Sequence, residues 1–214
     1  MLIVQLSVRL CEGRFSSTHD VTIGVEFSSL LLPVGPVPTQ PTQRQKFLKL
    51  SLWDTAGQET YKSVTRSYFR GASGALVVFD LTRRATFESA TSWLTDLRAI
   101  AEDGVVVVLV GNKSDLCDEA TGPSKREVPR AEALAWCKAN NIFAYIETSA
   151  KSGANVEDAF LHVAQKIYEG IEAGRYDLND RRSGVKAAAG LHGSGRGGVS
   201  LRDARAKTST NGCC

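Results

Sequence analysis

The chain has 214 residues, 43% hydrophobic and 23% charged, which suits one packed domain with an appendage and excludes collagen-like, coiled-coil and multi-pass membrane architectures. Residues 181–214 hold seven Lys or Arg against one Asp, so a tail of net +6 hides behind the overall +3 and leaves −3 for residues 1–180. Five cysteines, two of them the last two residues, make no disulfide framework and suit a reducing compartment.

In chain order, Leu2, Leu6 and Leu10 stand four residues apart, which predicts a helix over 2–11, with a strand over 2–7 as the competing reading. Residues 27–32 and 46–53 flank a stretch, 34–45, that holds Pro36, Pro38 and Pro41 next to Pro33. The pattern predicts two antiparallel strands joined by an overlong, proline-stiffened loop. Within 47–53, Leu48, Leu50 and Leu52 alternate with Phe47, Lys49, Ser51 and Trp53, so one face is apolar. The runs 75–79 (ALVVF) and 105–110 (VVVVLV) are continuous and short, as in strands covered on both faces, and 143–146 (FAYI) is a weaker fourth. None nears the ~20 residues of a membrane-spanning helix.

Helical stripes lie between the strands. Phe87, Ala90, Leu94, Leu97 and Ala101 form one, with Trp93 read as core, and Val156, Phe160, Val163, Ile167 and Ile171 form another. Asn155 takes an N-cap position ahead of Glu157 and Asp158, and Pro129 opens a helix through Ala139. Strands alternating with helices predict a doubly wound, mostly parallel α/β sheet with one antiparallel edge hairpin. The domain spans 1–180. Residues 181–214, rich in Gly and poor in large apolar groups, cannot offset their ordering entropy and read as a disordered basic tail.

Ligands of open α/β sheets sit at the carboxyl ends of strands. Three polar clusters fall there: Asp54-Thr55-Ala56-Gly57-Gln58-Glu59, Gly111-Asn112-Lys113-Ser114-Asp115 and Glu147-Thr148-Ser149-Ala150-Lys151. Each string alone could be a hydrophilic turn; three on one edge point to a single site.

These strings resemble the motifs of the small GTPases (P-loop NTPase fold), DTAGQE for the γ-phosphate and magnesium, NKSD and TSAK for guanine. Residues 20–27 (DVTIGVEF), 57–74 and the terminal Cys213-Cys214 are similar to the Rab branch, nearest the Rabs of early and recycling endosomes. The resemblance implies GTP/GDP and Mg2+ as cofactors. Nucleotide would be held by Thr22, Asp54, Gly57, Asn112, Lys113, Asp115, Ser149, Ala150 and Lys151, and metal by Thr22 and Asp54. Gln58 would orient the attacking water as catalytic residue, and Ile23, Phe27 and Trp53 would meet effectors. It further implies prenylation of Cys213 and Cys214, and a membrane anchor of two prenyl groups. Implied partners are exchange factors, activating proteins, effectors, prenyl-escort proteins and GDP-dissociation inhibitors, with no nucleic acid. The implied location is the cytoplasmic face of endosomal or Golgi-type membranes, with a cytosolic pool, in vesicle-mediated transport.

Two departures matter. Gly-x-x-x-x-Gly-Lys-Ser/Thr occurs nowhere in the chain; the family's lysine falls on Ile3 and its magnesium-ligating hydroxyl on Val4, and the first strand would lie before Met1. On the resemblance the N-terminus is expected to be incomplete, or the chain to be a non-catalytic, Rab-shaped interaction module; residues 1–214 by themselves are expected to bind GTP weakly and turn none over. The second departure is the proline-rich insert 33–45, expected to alter partner contacts rather than chemistry.

Overall fold

The alternating leucines build a hairpin. In a computed structural model that describes residues 3–16, 22, 24–57, 61–118, 122–180 and 184–187, β1 (Val25–Val34) pairs antiparallel with β2 (Lys46–Thr55) from Val25↔Thr55 to Val34↔Lys46. Leu48, Leu50 and Leu52 are half-buried against the core while Phe47, Lys49, Ser51 and Trp53 face outward, as the alternation requires. The proline-rich connection is fastened at both roots. Gly35, at φ +77, passes so close to the Tyr168 ring that a Cβ would stand 3.1 Å from it. Its amide donates to Gln165 Oε1 at 2.9 Å, and Lys46 Nζ donates to the Tyr168 hydroxyl at 2.7 Å.

The continuous apolar runs become a parallel sheet. β3 (Gly74–Asp80), β4 (Val106–Asn112) and β5 (Ala144–Thr148) lie in the order β3-β4-β5, with Asp80↔Asn112 and Asn112↔Thr148 in register. Every residue of β4 is buried because both its faces are covered. Val106, Val108 and Val110 pack with α5 (Val156–Glu172), whereas Val107 and Leu109 pack with α3 (Arg84–Ile100) and α4 (Arg130–Ala139). A short helix, α2 (Lys62–Ser67), precedes β3.

The N-terminal segment is the helix α1 (Ile3–Glu12), not a strand. Leu6 is fully buried and Leu10 half-buried in the α5-side core, which confirms the four-residue stripe; Leu2 lies outside the described residues. Trp93 departs from its expected core place: it is half-buried, while Phe87, Ala90, Leu94 and Leu97 carry the buried face of α3. Asn155 occupies the N-cap of α5 but in the left-handed conformation, and its side chain makes no cap; Nδ2 donates to the Glu147 carbonyl at 2.9 Å. The packed region also reaches beyond residue 180, to a buried Val185. Among the described residues no strand lies between β2 and β3, so hairpin and parallel sheet are separate.

Candidate functional site

Three strands end in register at one edge. Asp80, Asn112 and Thr148 close β3, β4 and β5; two of the three polar clusters expected on one edge accompany the ends of β4 and β5, whereas the third, at Asp54, ends β2 of the separate hairpin. Asn112 is 2% exposed and ties the loops together: its Oδ1 accepts from the Lys113 amide at 2.8 Å, the Thr148 hydroxyl at 3.4 Å and the Ala150 amide at 3.1 Å. These bonds force a sharp turn, and Lys113 takes the left-handed conformation (φ 71) to make it. The turn continues as one 3-10 helix, Ser114–Leu116, which carries Asp115 in its first turn. There Asp115 Oδ1 accepts from Ser149 Oγ at 2.6 Å, and Ser149 Oγ in turn accepts from the Ser152 amide at 3.1 Å. Lys151 is exposed beside this pair.

Two residues that sequence reasoning missed hold this edge in shape. Asp80, nearly buried, accepts from Lys113 Nζ at 2.8 Å and from the Thr82 amide and hydroxyl at 2.9 and 2.7 Å. Burial pushes its carboxyl up, but Lys113 and Thr82 outweigh burial and hold it below the usual carboxylate range. Glu147, just ahead of Thr148, forms a two-pronged pair with Arg126 at 3.0 and 2.8 Å and accepts from the Tyr145 hydroxyl at 2.8 Å. Burial again opposes ionisation, and Arg126 with Tyr145 again prevails, so Glu147 titrates low. Its place in the string Glu147–Lys151 was the available signal; Arg126, 21 residues away, gave none.

A second cluster surrounds Asp54. This residue is the penultimate one of β2, 4% exposed, and its Oδ2 accepts from Ser7 Oγ of α1 at 3.3 Å. Among the described residues nothing meets its Oδ1, nor the hydroxyl of Thr22, which is 5% exposed. Burial raises the Asp54 carboxyl to about 6, and the neutral Ser7 hydroxyl recovers only part of the shift. The Ala56 amide donates to the Gly24 carbonyl at 3.0 Å, which draws the segment after Asp54 toward the segment after Thr22. A buried carboxylate oxygen without a donor is the kind of ligand a hard cation takes. Gly57 is exposed at the end of this strand; Gln58 and Ile23 lie outside the described residues, as do Cys213 and Cys214.

Helix α1 borders both clusters. Ser7 reaches Asp54, and Arg9 Nη2 donates to the Ser152 carbonyl at 2.9 Å in the loop behind Ser149. On the outer face Phe27 and Trp53 are register partners, with ring centroids 4.7 Å apart, and Tyr68 lies 5.0 Å beyond Trp53. Phe27 is 57% and Trp53 49% exposed, so this aromatic row faces solvent.

A family model matches residues 4–169 of the chain, well over half its length; it is that of the Ras family.

Proposed function

Starting from the premise that the chain belongs to the Ras family of small GTPase switches, we propose that it is a Rab-type guanine-nucleotide-binding protein that acts in endosomal vesicle transport. The observation that carries the guanine-nucleotide part of this reading is the hydrogen-bonded edge Asn112–Ala150 and Asp115–Ser149. Asp115 would accept the guanine ring N–H and exocyclic amine. Adenine offers no such pair, and the carboxylate left without them would be penalised by several kcal/mol. The Lys113 stem, anchored through its ammonium to Asp80, would lie along the base.

Thr22 and Asp54 would hold Mg2+, which supplies neutralisation of charge on the phosphates. The fit is partial, since the sequence offers Val4 where the family has a hydroxyl and Ile3 where it has a lysine. Gln58 would orient the water of hydrolysis. The tail would carry two prenyl groups on Cys213 and Cys214, and its basic charge would add attraction to anionic lipid. Phe27, Trp53 and Tyr68 would meet effectors. Mass spectrometry of the C-terminal peptide from cells tests the anchor, and an unmodified peptide rejects it.

A second reading has its own observation. α1 already begins at Ile3, so residues 1–214 contain no glycine-rich loop ahead of it. The lysine and backbone donors for the β-phosphate are then lacking, at roughly 1.5–3 kcal/mol for each charge-assisted bond. Loss of four removes at least ~6 kcal/mol, about 10⁴-fold in affinity. The chain would then act as a Rab-shaped interaction module. Titration calorimetry of residues 1–214 with GTP, GDP and ATP in Mg2+ decides. Weak, guanine-selective binding is expected; nanomolar GTP binding removes the second reading, and equal binding of ATP removes the first.

A further inference from the structure

Residues 35–45 close the hairpin at the end of the strands opposite Asp54. Asp54 stands eight positions after Lys46 along β2, about 26 Å of extended chain. Whatever this connection meets is therefore remote from the polar strand ends. Pro36, Pro38 and Pro41 each fix φ at about −65°. Val37 and Gln40 each precede a proline, which pushes them into the extended and polyproline II regions. Residues 37–39 accordingly lie in neither helix nor strand. A polyproline II helix has about three residues per turn, so Pro38 and Pro41 share one face of it, and Val37 and Gln40 the next.

The connection is braced as well as stiff. Beyond the contacts of Gly35 and Lys46 with α5, Gln45 Nε2 donates to the carbonyls of Val34 and Lys46 at 2.9 and 3.2 Å, across the neck. Within the connection the Thr39 amide and hydroxyl both donate to Gln43 Oε1, at 2.9 and 3.3 Å. The Gln43 amide donates to the Gln40 carbonyl at 3.0 Å, which makes a turn with Pro41 at its second position. Pro36 and Pro41 are exposed, Pro38 is half-buried, and the apolar Val37 is 78% exposed. A segment ordered in advance loses less conformational entropy when it binds.

We propose that residues 36–44 are a docking ridge for an SH3-type domain, whose groove of aromatic side chains takes a polyproline II segment with Pro-x-x-Pro spacing. The pairs Val37-Pro38 and Gln40-Pro41, one turn apart, enter successive pockets of that groove. Arg44 and Lys46 are the only charged residues in 33–46, and Lys46 is committed to Tyr168 and Glu172. Arg44, exposed three positions after Pro41, therefore meets an acidic rim of the partner and sets the direction in which the ridge lies. The stretch has no adjacent prolines and no aromatic residue, so spacing and charge are what the partner reads. The ridge involves neither nucleotide nor the Phe27–Trp53 row, so its failure and that of the guanine reading are separate results.

An array of purified SH3, WW and EVH1 domains, probed with labelled residues 1–214, tests it. Binding by SH3 domains is expected, and Pro38→Ala with Pro41→Ala should weaken it about tenfold or more. Arg44→Glu should weaken it as well and act most on domains with an acidic rim. Pro123→Ala, at an exposed proline outside the insert, should bind as wild type. Absence of binding to every SH3 domain, binding to WW or EVH1 domains alone, or binding that survives the double substitution overturns the proposal. If the double variant does not fold, an excess of free peptide 33–46 decides. Displacement of the intact chain from the SH3 domain supports the ridge, and failure to displace it overturns it.

Discussion

At the end of β4, Asn112 Oδ1 takes hydrogen bonds from three donors, whereas at the end of β2 Asp54 Oδ1 meets none among the described residues. Both side chains are almost fully buried. The contrast extends to titration. Glu147 and Asp80 stay ionised below the usual range despite burial, because Arg126 and Lys113 stand against them. Asp54, where burial outweighs the Ser7 hydroxyl bond, rises to about 6. One half of the site therefore keeps its shape from the protein's own donors. The other holds a buried carboxylate oxygen that meets no donor among the described residues, an arrangement that lowers stability.

The largest effect that would break this comparison lies on the satisfied side. On the proposed guanine reading, Asp115→Ala would remove two charge-assisted bonds, together about 3–6 kcal/mol, so GTP affinity should fall by about 100-fold or more and preference over ATP should vanish. Calorimetric titration of the variant with both nucleotides reads this directly, and a surviving preference would place base recognition elsewhere.

On the unsatisfied side the sign reverses. The folded-state pKa of Asp54, about 6, lies above its ordinary 3.8, so the protonated form is favoured in the fold. Its favourable contribution is complete below about pH 4 and is lost as pH rises through 6. Asp54→Asn should therefore stabilise the protein by up to about 3 kcal/mol at pH 7, with the gain gone at pH 4. Millimolar Mg2+ should raise the melting temperature of the wild type and not of the variant. A destabilised variant at neutral pH would mean that Asp54 has partners that offset its burial.

The smallest of the three effects sharpens the comparison. Arg126→Ala leaves Glu147 with Tyr145 and the more distant Arg130, 3.7 Å away, and should lower stability by about 2–3 kcal/mol, less than for a fully buried pair because Arg126 is partly exposed. Glu147 has a lowered folded-state pKa, so its contribution is present above the ordinary 4.5 and lost as pH falls through the lowered value. In the variant that acid-side loss should shrink. Denaturant titrations at several pH values measure both quantities.

The residues proposed to read the base were legible in the chain because their chemistry is local: Asn112, Lys113 and Asp115 share one turn, and Ser149 and Ala150 another. Their supports were not. Ser7 and Asp54 stand 47 residues apart, and Arg126 and Glu147 21 apart, and neither Ser7 nor Arg126 stands out from other polar residues until the fold juxtaposes them. Asp54 itself was visible at its strand end, yet its raised pKa depends on what packs around it.

By itself, then, the sequence determined the hairpin, the parallel strands, the helical stripes and the polar strand ends, since each rests on side-chain periodicity or on a contiguous string. The continuous valines of β4 can only be covered on both faces, and the leucines of β2 on one. Tertiary structure alone decided that Val185 packs against α5 and on which side of their ordinary range the buried carboxylates titrate. Those outcomes depend on distances between residues remote in the chain. Burial penalises a charge or an unpaired strand edge by an amount set by the partners that packing supplies.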